Sequence, residues 1–287
     1  MYSVNMLTLS DRQYPPQLRQ IASPPANLYW SGLDPAGWLN RPKVSIVGSR
    51  KMTPYGKSVT EKLAQELALR GVVIISGLAY GIDVTAHRSA LAARGLTVAV
   101  LPTGLDSIYP SGHHHIARQI AQRGALVTEY PVGTPSFPAN FIARNRIISG
   151  LCDVLVIPEA ALKSGSLHTA RFALEQGKTV MAVPGNINNP ASQGCNNLIK
   201  SGAIPITSVD DILFALKINP EKRKTGVSFS GSKQEETVIE FIARGVTAQE
   251  ELAAAAEMDG PALSSVLTML ELSGHIRPTG AGNWTLS

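Results

Sequence analysis

Short runs rich in Val and Ile, separated by amphipathic stretches of about a dozen residues, decide what this chain can become. They fall at Val44–Val47, Val72–Ser76, Thr97–Leu101, Ala125–Thr128, Val154–Ile157 and Thr179–Val183. Each run is almost continuously apolar, as expected of strands covered on both faces. Strands of that kind alternating with helices form βαβ units and a parallel sheet. The first intervening stretch shows the helical side of the pattern. Thr53 stands at the N-cap, Pro54 at the first helical position, Val59, Leu63 and Leu67 four apart, and Gly71 closes a helix predicted over Pro54–Arg70. The expected fold class is α/β, a Rossmann-like doubly wound parallel sheet.

The flanks read differently. Residues 1–42 hold Pro15-Pro16, Pro24-Pro25, Pro35 and Pro42, a spacing that forbids a long helix or a central strand. An irregular arm is predicted there, packed on the main domain (43–218) through Leu28, Tyr29, Trp30 and Trp38. Residues 219–233 (NPEKRKTGVSFSGSK) are charged, contain Gly and Ser, and have few apolar anchors, which marks a flexible linker. In 234–287, helical patterns at Glu235–Ala243, Ala248–Ala256 and Pro261–Ser273 precede a hairpin running from Gly274 through a Gly280–Gly282 turn to Leu286. Three helices and a hairpin make a small C-terminal winged-helix domain.

Charge divides the chain along the same line. The 287 residues carry a formal net charge of +5, but residues 1–233 hold 24 Lys and Arg against 13 Asp and Glu, whereas 234–287 hold 2 against 8. The first part suits a polyanion and the last does not. Cys152 and Cys195 are too few for a disulfide framework and form no C-x-x-C pair. Met1–Gln20 lacks an apolar run of signal-peptide length, and no stretch approaches the roughly 18 apolar residues of a spanning helix. The expectation is a cytoplasmic protein with no membrane partner.

In an open parallel sheet, ligands bind outside the carboxyl ends of the strands. The residues at those ends are Gly48-Ser49-Arg50 after the first strand, Ser76-Gly77 and Gly81 around the end of the second, and Lys163-Ser164-Gly165-Ser166 with Thr169 after the fifth. Arg144-Asn145-Arg146 comes just before the fifth. Small residues at strand-to-helix turns let a phosphate approach backbone N–H groups and the positive end of a helix dipole. Arg and Lys at neighbouring turns add charge-assisted bonds. Gathered on one rim, these groups describe a phosphate pocket. A dinucleotide fingerprint would need G-x-G-x-x-G where Gly48-Ser49-Arg50-Lys51 stands, and a P-loop would need G-x-x-x-x-G-K-[ST], which the sequence lacks.

At these same loops the sequence is similar to the DNA processing protein A (DprA) family, also called Smf. The text that carries the resemblance is VSIVGSRKMTPYG at Val44–Gly56, ISGLAYGID at Ile75–Asp83, TVAVLPTGLDSIYP at Thr97–Pro110, EYP at Glu129–Pro131, ARNRIISGL at Ala143–Leu151, KSGSLHTA at Lys163–Ala170, and VPGN followed by QGCNNLIKSGA at Gln193–Ala203. The arm segment Tyr14–Gly32 resembles the part that precedes the family's Rossmann fold. The resemblance implies single-stranded DNA binding, homodimerisation and delivery of that DNA to the RecA recombinase in uptake, natural transformation and recombination. By motif, Ser49 and Arg50, Gly77 and Gly81, Arg144 to Arg146, and Lys163 to Ser166 with Thr169 are the implied DNA-binding positions, with Arg50, Arg144, Arg146 and Lys163 neutralising phosphates. No catalytic residue, metal or cofactor is implied. The chain departs from the family pattern in three ways. Phe141-Ile142-Ala143 stands where the family has Phe-Pro-basic; residues 1–42 leave no room for the SAM-type helical domain that many members carry; and His113-His114-His115 occupies a helix start that is usually not rich in His.

Blander and sharper alternatives sit beside this reading. Phe137 and Phe141 are candidates for base stacking, though a buried aromatic is the ordinary expectation. The three adjacent histidines diverge around a helix and read as a solvated N-terminus rather than a metal site. Asp83, Asp106, Glu129 and Glu159 lie near the rim and suggest an acid/base pair, but Asp83 reads more simply as a helix cap and the others as loop-shaping groups. A triad would need Ser49 or Ser166 beside His87 or His168. The alternative function is a nucleotide-binding hydrolase of the phosphoribohydrolase (LOG-like) type, whose P-G-G-x-G-T-x-x-E is absent. The acidic winged helix, with Arg244 and Arg277 its only Lys or Arg, is expected to contact protein rather than duplex DNA.

Overall fold

A computed structural model of the chain describes residues 3–218, 232–243, 245–280 and 282–286. The chain divides into two units, Met1–Lys222 and Arg223–Ser287. Of the predicted linker, residues 219–231 lie outside the described residues, as does Arg244, and Lys233 already stands in a helix.

The larger unit starts with β1 (Asn5–Thr8), α1 (Pro16–Arg19) and β2 (Asn27–Gly32). Its winding core follows as β3 (Lys43–Ile46), α2 (Pro54–Leu69), β4 (Val73–Ser76), α3 (Ile82–Ala92), β5 (Thr97–Val100), α4 (His114–Arg123) and β6 (Ala125–Thr128). The chain continues through α5 (Pro138–Leu151), β7 (Val154–Ile157), α6 (Ser166–Glu175), β8 (Thr179–Ala182), α7 (Gln193–Lys200), β9 (Ile204–Pro205) and α8 (Val209–Ala215). All six predicted strands form within a residue of their expected ends. They are parallel and lie in the order β6-β5-β4-β3-β7-β8, with β9 added at the far edge.

The alternation of side chains sends Val73 and Ile75 into one core with Ile147, Ile148 and Leu151 of α5. It sends Ile74, with Val44 and Ile46, into the other with Leu63 and Leu67 of α2. Both faces are therefore covered, which is why the strands read as unbroken apolar runs. Strand order reverses at β3, which has β4 on one side and β7 on the other. That is the switch point of a doubly wound sheet.

The arm is more regular than predicted. β1 and β2 pair antiparallel, and β2 pairs antiparallel with β6, so the nine-stranded sheet gains two strands at that edge. The prolines fall between these strands rather than in them, so each strand keeps its backbone donors. Leu28 and Trp38 are fully buried, and Tyr29 and Trp30 pack half-buried against the cores. Gly32 turns with φ +100°, and a Cβ there would fall 2.4 Å from the Gly124 carbonyl oxygen. Lys43 fastens arm to core: its buried ammonium donates to the carbonyls of Leu39 and Arg41 at 2.8 Å and lies 3.5 Å from Asp153.

The smaller unit consists of α9 (Lys233–Ala243), α10 (Gln249–Ala255), α11 (Gly260–Leu272) and the hairpin β10 (Ile276–Gly280) with β11 (Asn283–Leu286). Val238, Ile242, Leu252, Leu263, Leu267, Leu270 and Ile276 build its own core. Asp259 caps α11, accepting from the Ala262 amide at 2.8 Å.

Candidate functional site

The loops that follow β3 and β7 meet across the switch point and enclose a cleft of about 860 Å3. One wall is Val47 to Lys51. The opposite wall is Ala161 with Lys163 to Ser166 and Thr169, and the ends are closed by Tyr109 and by Pro138 to Asn145 of α5. Of the expected site residues, Gly48, Ser49, Arg50, Arg144, Asn145, Lys163, Ser164, Gly165, Ser166 and Thr169 line this space.

The first wall is built from backbone. Gly48 cannot carry a side chain, because its Cβ would lie 2.7 Å from both the Glu159 carbonyl oxygen and Ile82. The Ser49 amide donates to that same carbonyl at 2.8 Å, which ties the β3 loop to the β7 loop. Buried Glu159 braces the arrangement from behind. Its carboxylate accepts from the Thr53 amide at 3.0 Å and from the Thr53 hydroxyl, while Thr53 itself caps α2 through the Gly56 amide. Arg50 and Lys51 then project from a fixed loop with their side chains exposed.

The opposite wall is a helix start. α6 opens at Ser166 with Gly165 as its N-cap, the Leu167 and His168 amides donate to the Ser164 and Gly165 carbonyls at 3.1 and 3.2 Å, and the positive end of the helix dipole meets the cleft. The Ser164 and Ser166 hydroxyls lie 2.8 Å apart, and Lys163 is exposed beside them. Gly165 has ordinary helical torsions and no heavy atom within 4 Å of the place a Cβ would take. The fold leaves that space open on the cleft side.

Arg144 lines the cleft from within the fold. It is 3% exposed, and its guanidinium donates to the carbonyl of Gly77 at 2.8 Å and to that of Val100. A Cβ on Gly77 would lie 2.6 Å from this guanidinium, so Gly77 is small for the sake of Arg144 rather than for a phosphate. Burial draws Arg144 down to about 10, against the attraction of Asp83, and it keeps its charge at neutral pH. Burial likewise raises the Asp83 carboxyl above its ordinary range, opposed by Arg144. Asp83 accepts from the Gly77 amide at 3.1 Å and so latches the β4 loop; the cap of α3 falls to Gly81. Arg144 fixes the cleft floor through Nη1, and its buried Nε has no hydrogen-bond partner among the described residues.

Three further expected positions stand outside the cleft lining. Arg146 is spent on Glu129, with two 2.6 Å bonds, and on the Ser23 carbonyl at 2.9 Å. Ser76 is buried and donates to the Ile46 carbonyl. Gly81, at φ +76°, is needed because a Cβ would sit 2.2 Å from the Ser49 carbonyl oxygen. Both small residues shape the rim from underneath.

Aromatic groups complete the mouth. Phe141 is half-buried, carries the Arg50 guanidinium 5.4 Å above its ring, and meets Tyr109 edge-on at 5.1 Å. Phe137 is exposed, so neither ring is the buried aromatic that the sequence suggested. Lys51 and Tyr109 escaped the sequence reading; the Lys51 signal was its place directly after Arg50. The three histidines separate as well: His113 is buried with Nδ1 2.8 Å from the Leu78 carbonyl oxygen, and His114 and His115 are exposed. His87 is buried against Thr97 Oγ1 at 2.6 Å and His168 is exposed.

Fold and site together define a doubly wound α/β protein with a cationic cleft at its switch point, followed by a winged helix. Residues 5–217 match the model of the DNA recombination-mediator protein A family, and residues 223–282 match that of the DprA winged helix domain. The chain therefore belongs to the DNA recombination-mediator protein A family. It is 40% identical to protein Smf of Escherichia coli over 280 residues, 94% of this chain and 74% of that protein. It is 42% identical to DNA processing protein DprA of Streptococcus pneumoniae, over 72% of each. Among solved structures it resembles DprA from Streptococcus pneumoniae (TM-score 0.70, 39% identity, 74% of each chain). It also resembles DprA from Helicobacter pylori, described for its single-stranded DNA binding mode (TM-score 0.68, 36% identity, 75% of this chain and 96% of that one). Among the described residues no helix is long and apolar enough to cross a membrane.

Proposed function

We propose that this protein binds single-stranded DNA by its phosphates in the switch-point cleft and delivers it, as a homodimer in the cytoplasm, to the RecA recombinase during DNA uptake, transformation and recombination, without catalysing a reaction. One observation carries the reading: three exposed cations, Arg50, Lys51 and Lys163, line one cleft together with the hydroxyls of Ser49, Ser164 and Ser166, the start of α6 and the rings of Tyr109 and Phe141. Such a surface holds a phosphate and reads no base edge, so binding is salt-dependent and indifferent to sequence. Tyr109 and Phe141 at the mouth favour an unstacked strand over a duplex, whose bases are already stacked. Asp83 in the cleft lining and Glu159 behind its wall are both committed to backbone amides, which argues for binding rather than acid/base work.

The family description, recombination mediator, supports RecA as the recipient. The relative from Helicobacter pylori, described by its single-stranded DNA binding mode, supports the ligand. The winged helix remains a protein contact in this reading, since its sequence is acidic. The test is fluorescence anisotropy of a labelled single-stranded oligonucleotide across a salt series, with a duplex of equal length as control. Wild type should bind single strands more tightly than duplex, and Arg50→Ala and Lys163→Ala should weaken binding and flatten its salt dependence. Binding that both variants leave unchanged removes the cleft as the DNA site.

A further inference from the structure

A second, smaller cleft of about 540 Å3 lies next to the first, on the other side of a thin ridge. The ridge is the contact of Ser49 and Arg50 with Gly81, where a Cβ would lie 2.2 Å from the Ser49 carbonyl oxygen and 2.8 Å from Arg50 backbone. The two clefts share their walls: Lys51 lines the first and Met52 the second, Ala79 the first and Tyr80 the second. We propose that this second cleft is a further nucleotide subsite, in which Tyr80 stacks a base and Arg88 with Lys57 takes the adjoining phosphate of the same single strand. The proposal rests on the reading of the first cleft and extends its path along the rim.

The presentation of Tyr80 supports this. The ring is more than half exposed, an unusual position for a large aromatic on a rigid loop, and it is held edge-on by His113 at 4.8 Å. His113 is itself anchored to the carbonyl of Leu78. Leu78 adopts a left-handed backbone, φ +58°, with its side chain fully buried. A non-glycine residue pays for that conformation, and here it aims the next two residues outward into the cleft. The cations come from two helices. Arg88 of α3 is exposed and makes no ion pair among the described residues, and Lys57 of α2 lies 3.8 Å from Glu61, its neighbour one turn on. Glu61 also lines the cleft, so Lys57 is partly neutralised and Arg88 is the principal phosphate group. An exposed ring beside an unpaired guanidinium is the pairing that single-strand binding grooves use.

The experiment compares two oligonucleotides of about 4 and about 16 nucleotides, which span the usual range of single-strand site sizes. They are titrated against wild type, Tyr80→Ala, Tyr80→Phe, Arg88→Ala and Arg50→Ala. The proposal expects Tyr80→Ala to weaken the long strand about tenfold while Tyr80→Phe retains wild-type affinity, in line with the loss of one stacked base. Arg88→Ala should lower the salt slope for the long strand by about 0.7, one phosphate contact on a single strand. The short strand, which fills the first cleft, should lose affinity only with Arg50→Ala. If Tyr80→Ala and Arg88→Ala bind the long strand as wild type does while Arg50→Ala fails with both, the second subsite is wrong and the first cleft stands. If Arg50→Ala also binds both strands normally, the two readings fall together.

Discussion

The loop Gly48–Lys51 and the Arg144–Arg146 segment of α5 both bring arginines to the end of the sheet, yet the fold uses them in opposite ways. Arg50 rests on Phe141 with its charge in solvent. Arg144 is almost fully buried in the cleft floor and spends Nη1 on two backbone carbonyls, and Arg146 is locked to Glu129. A guanidinium is planar, permanently charged and rich in donors, so it suits either task; burial decides which one it performs. Charge near a rim is therefore not sufficient evidence of a phosphate contact. What matters is whether the fold has already used the donors.

The largest effect should come from removing Arg144. Arg144→Ala leaves the Gly77 and Val100 carbonyls without that donor and removes the positive charge that acts on buried Asp83. A loss of about 3–5 kcal/mol in unfolding free energy follows, measurable by urea denaturation of the larger unit. Unchanged stability together with a reduced salt slope for DNA would make Arg144 a contact like Arg50 and erase the distinction.

Next in size is a pH dependence confined to the buried side. Burial lowers His87 to about 3 from its ordinary 6.5, with Arg144 the second cause. The unfolded chain then binds a proton that the folded protein excludes. The His87 contribution is fully present above pH 6.5 and is lost progressively as pH falls from there toward 3, at about 1.4 kcal/mol per pH unit. Asp83, whose folded carboxyl is raised, acts with the opposite sign: its contribution grows as pH falls through its folded value toward the unfolded one. Denaturation of wild type against His87→Gln between pH 7 and 4.5 isolates the first effect, and equal slopes in the two proteins would refute it.

Third, Arg50→Ala should weaken single-strand binding about tenfold, roughly 1.4 kcal/mol, and lower the salt slope by about 0.7, with urea stability unchanged because the side chain is exposed. Anisotropy and denaturation on the same sample check both halves. A stability loss with intact binding would reverse the roles assigned to the two arginines.

How much of this the sequence revealed depends on which physical effect set each feature. The central strands were legible because burial on both faces leaves an unbroken apolar run, as in Val154–Ile157. The winged helix was legible because α9, α10 and α11 each bury one apolar stripe. The strands of the arm were hidden because edge strands such as Asn5–Thr8 are short and mostly exposed, and the surrounding prolines dominated the signal. The loops after β3 and β7 were found from small residues next to cations. The fate of Arg144 was not, because it depends on which way α5 faces and on where the β4 and β5 carbonyls end, both products of tertiary packing. The neighbouring cleft was missed for a related reason: Lys57 and Arg88 lie 31 positions apart on two helices and meet only when α2 and α3 pack against each other.

The smallest effect tests the comparison most sharply, because it predicts a null result for binding. Arg146 is 14% exposed in its side chain and Glu129 is 16% exposed, and the two share a two-pronged ion pair away from the cleft lining. Arg146→Ala should cost about 1–2 kcal/mol of stability, more than an ordinary surface pair because the geometry is bidentate and half shielded from water. It should leave single-strand affinity and its salt slope at wild-type values. Glu129→Gln should give a smaller loss of stability with the same unchanged binding, since the amide still accepts one bond from Arg146. The discriminating quantity is the salt slope rather than the affinity, because a general loosening of α5 lowers affinity at every salt concentration by the same factor, whereas a lost phosphate contact changes the slope. A slope lowered by Arg146→Ala would mean that Arg146 exchanges Glu129 for DNA on binding, and the α5 segment would then join the Gly48–Lys51 loop as a contact surface.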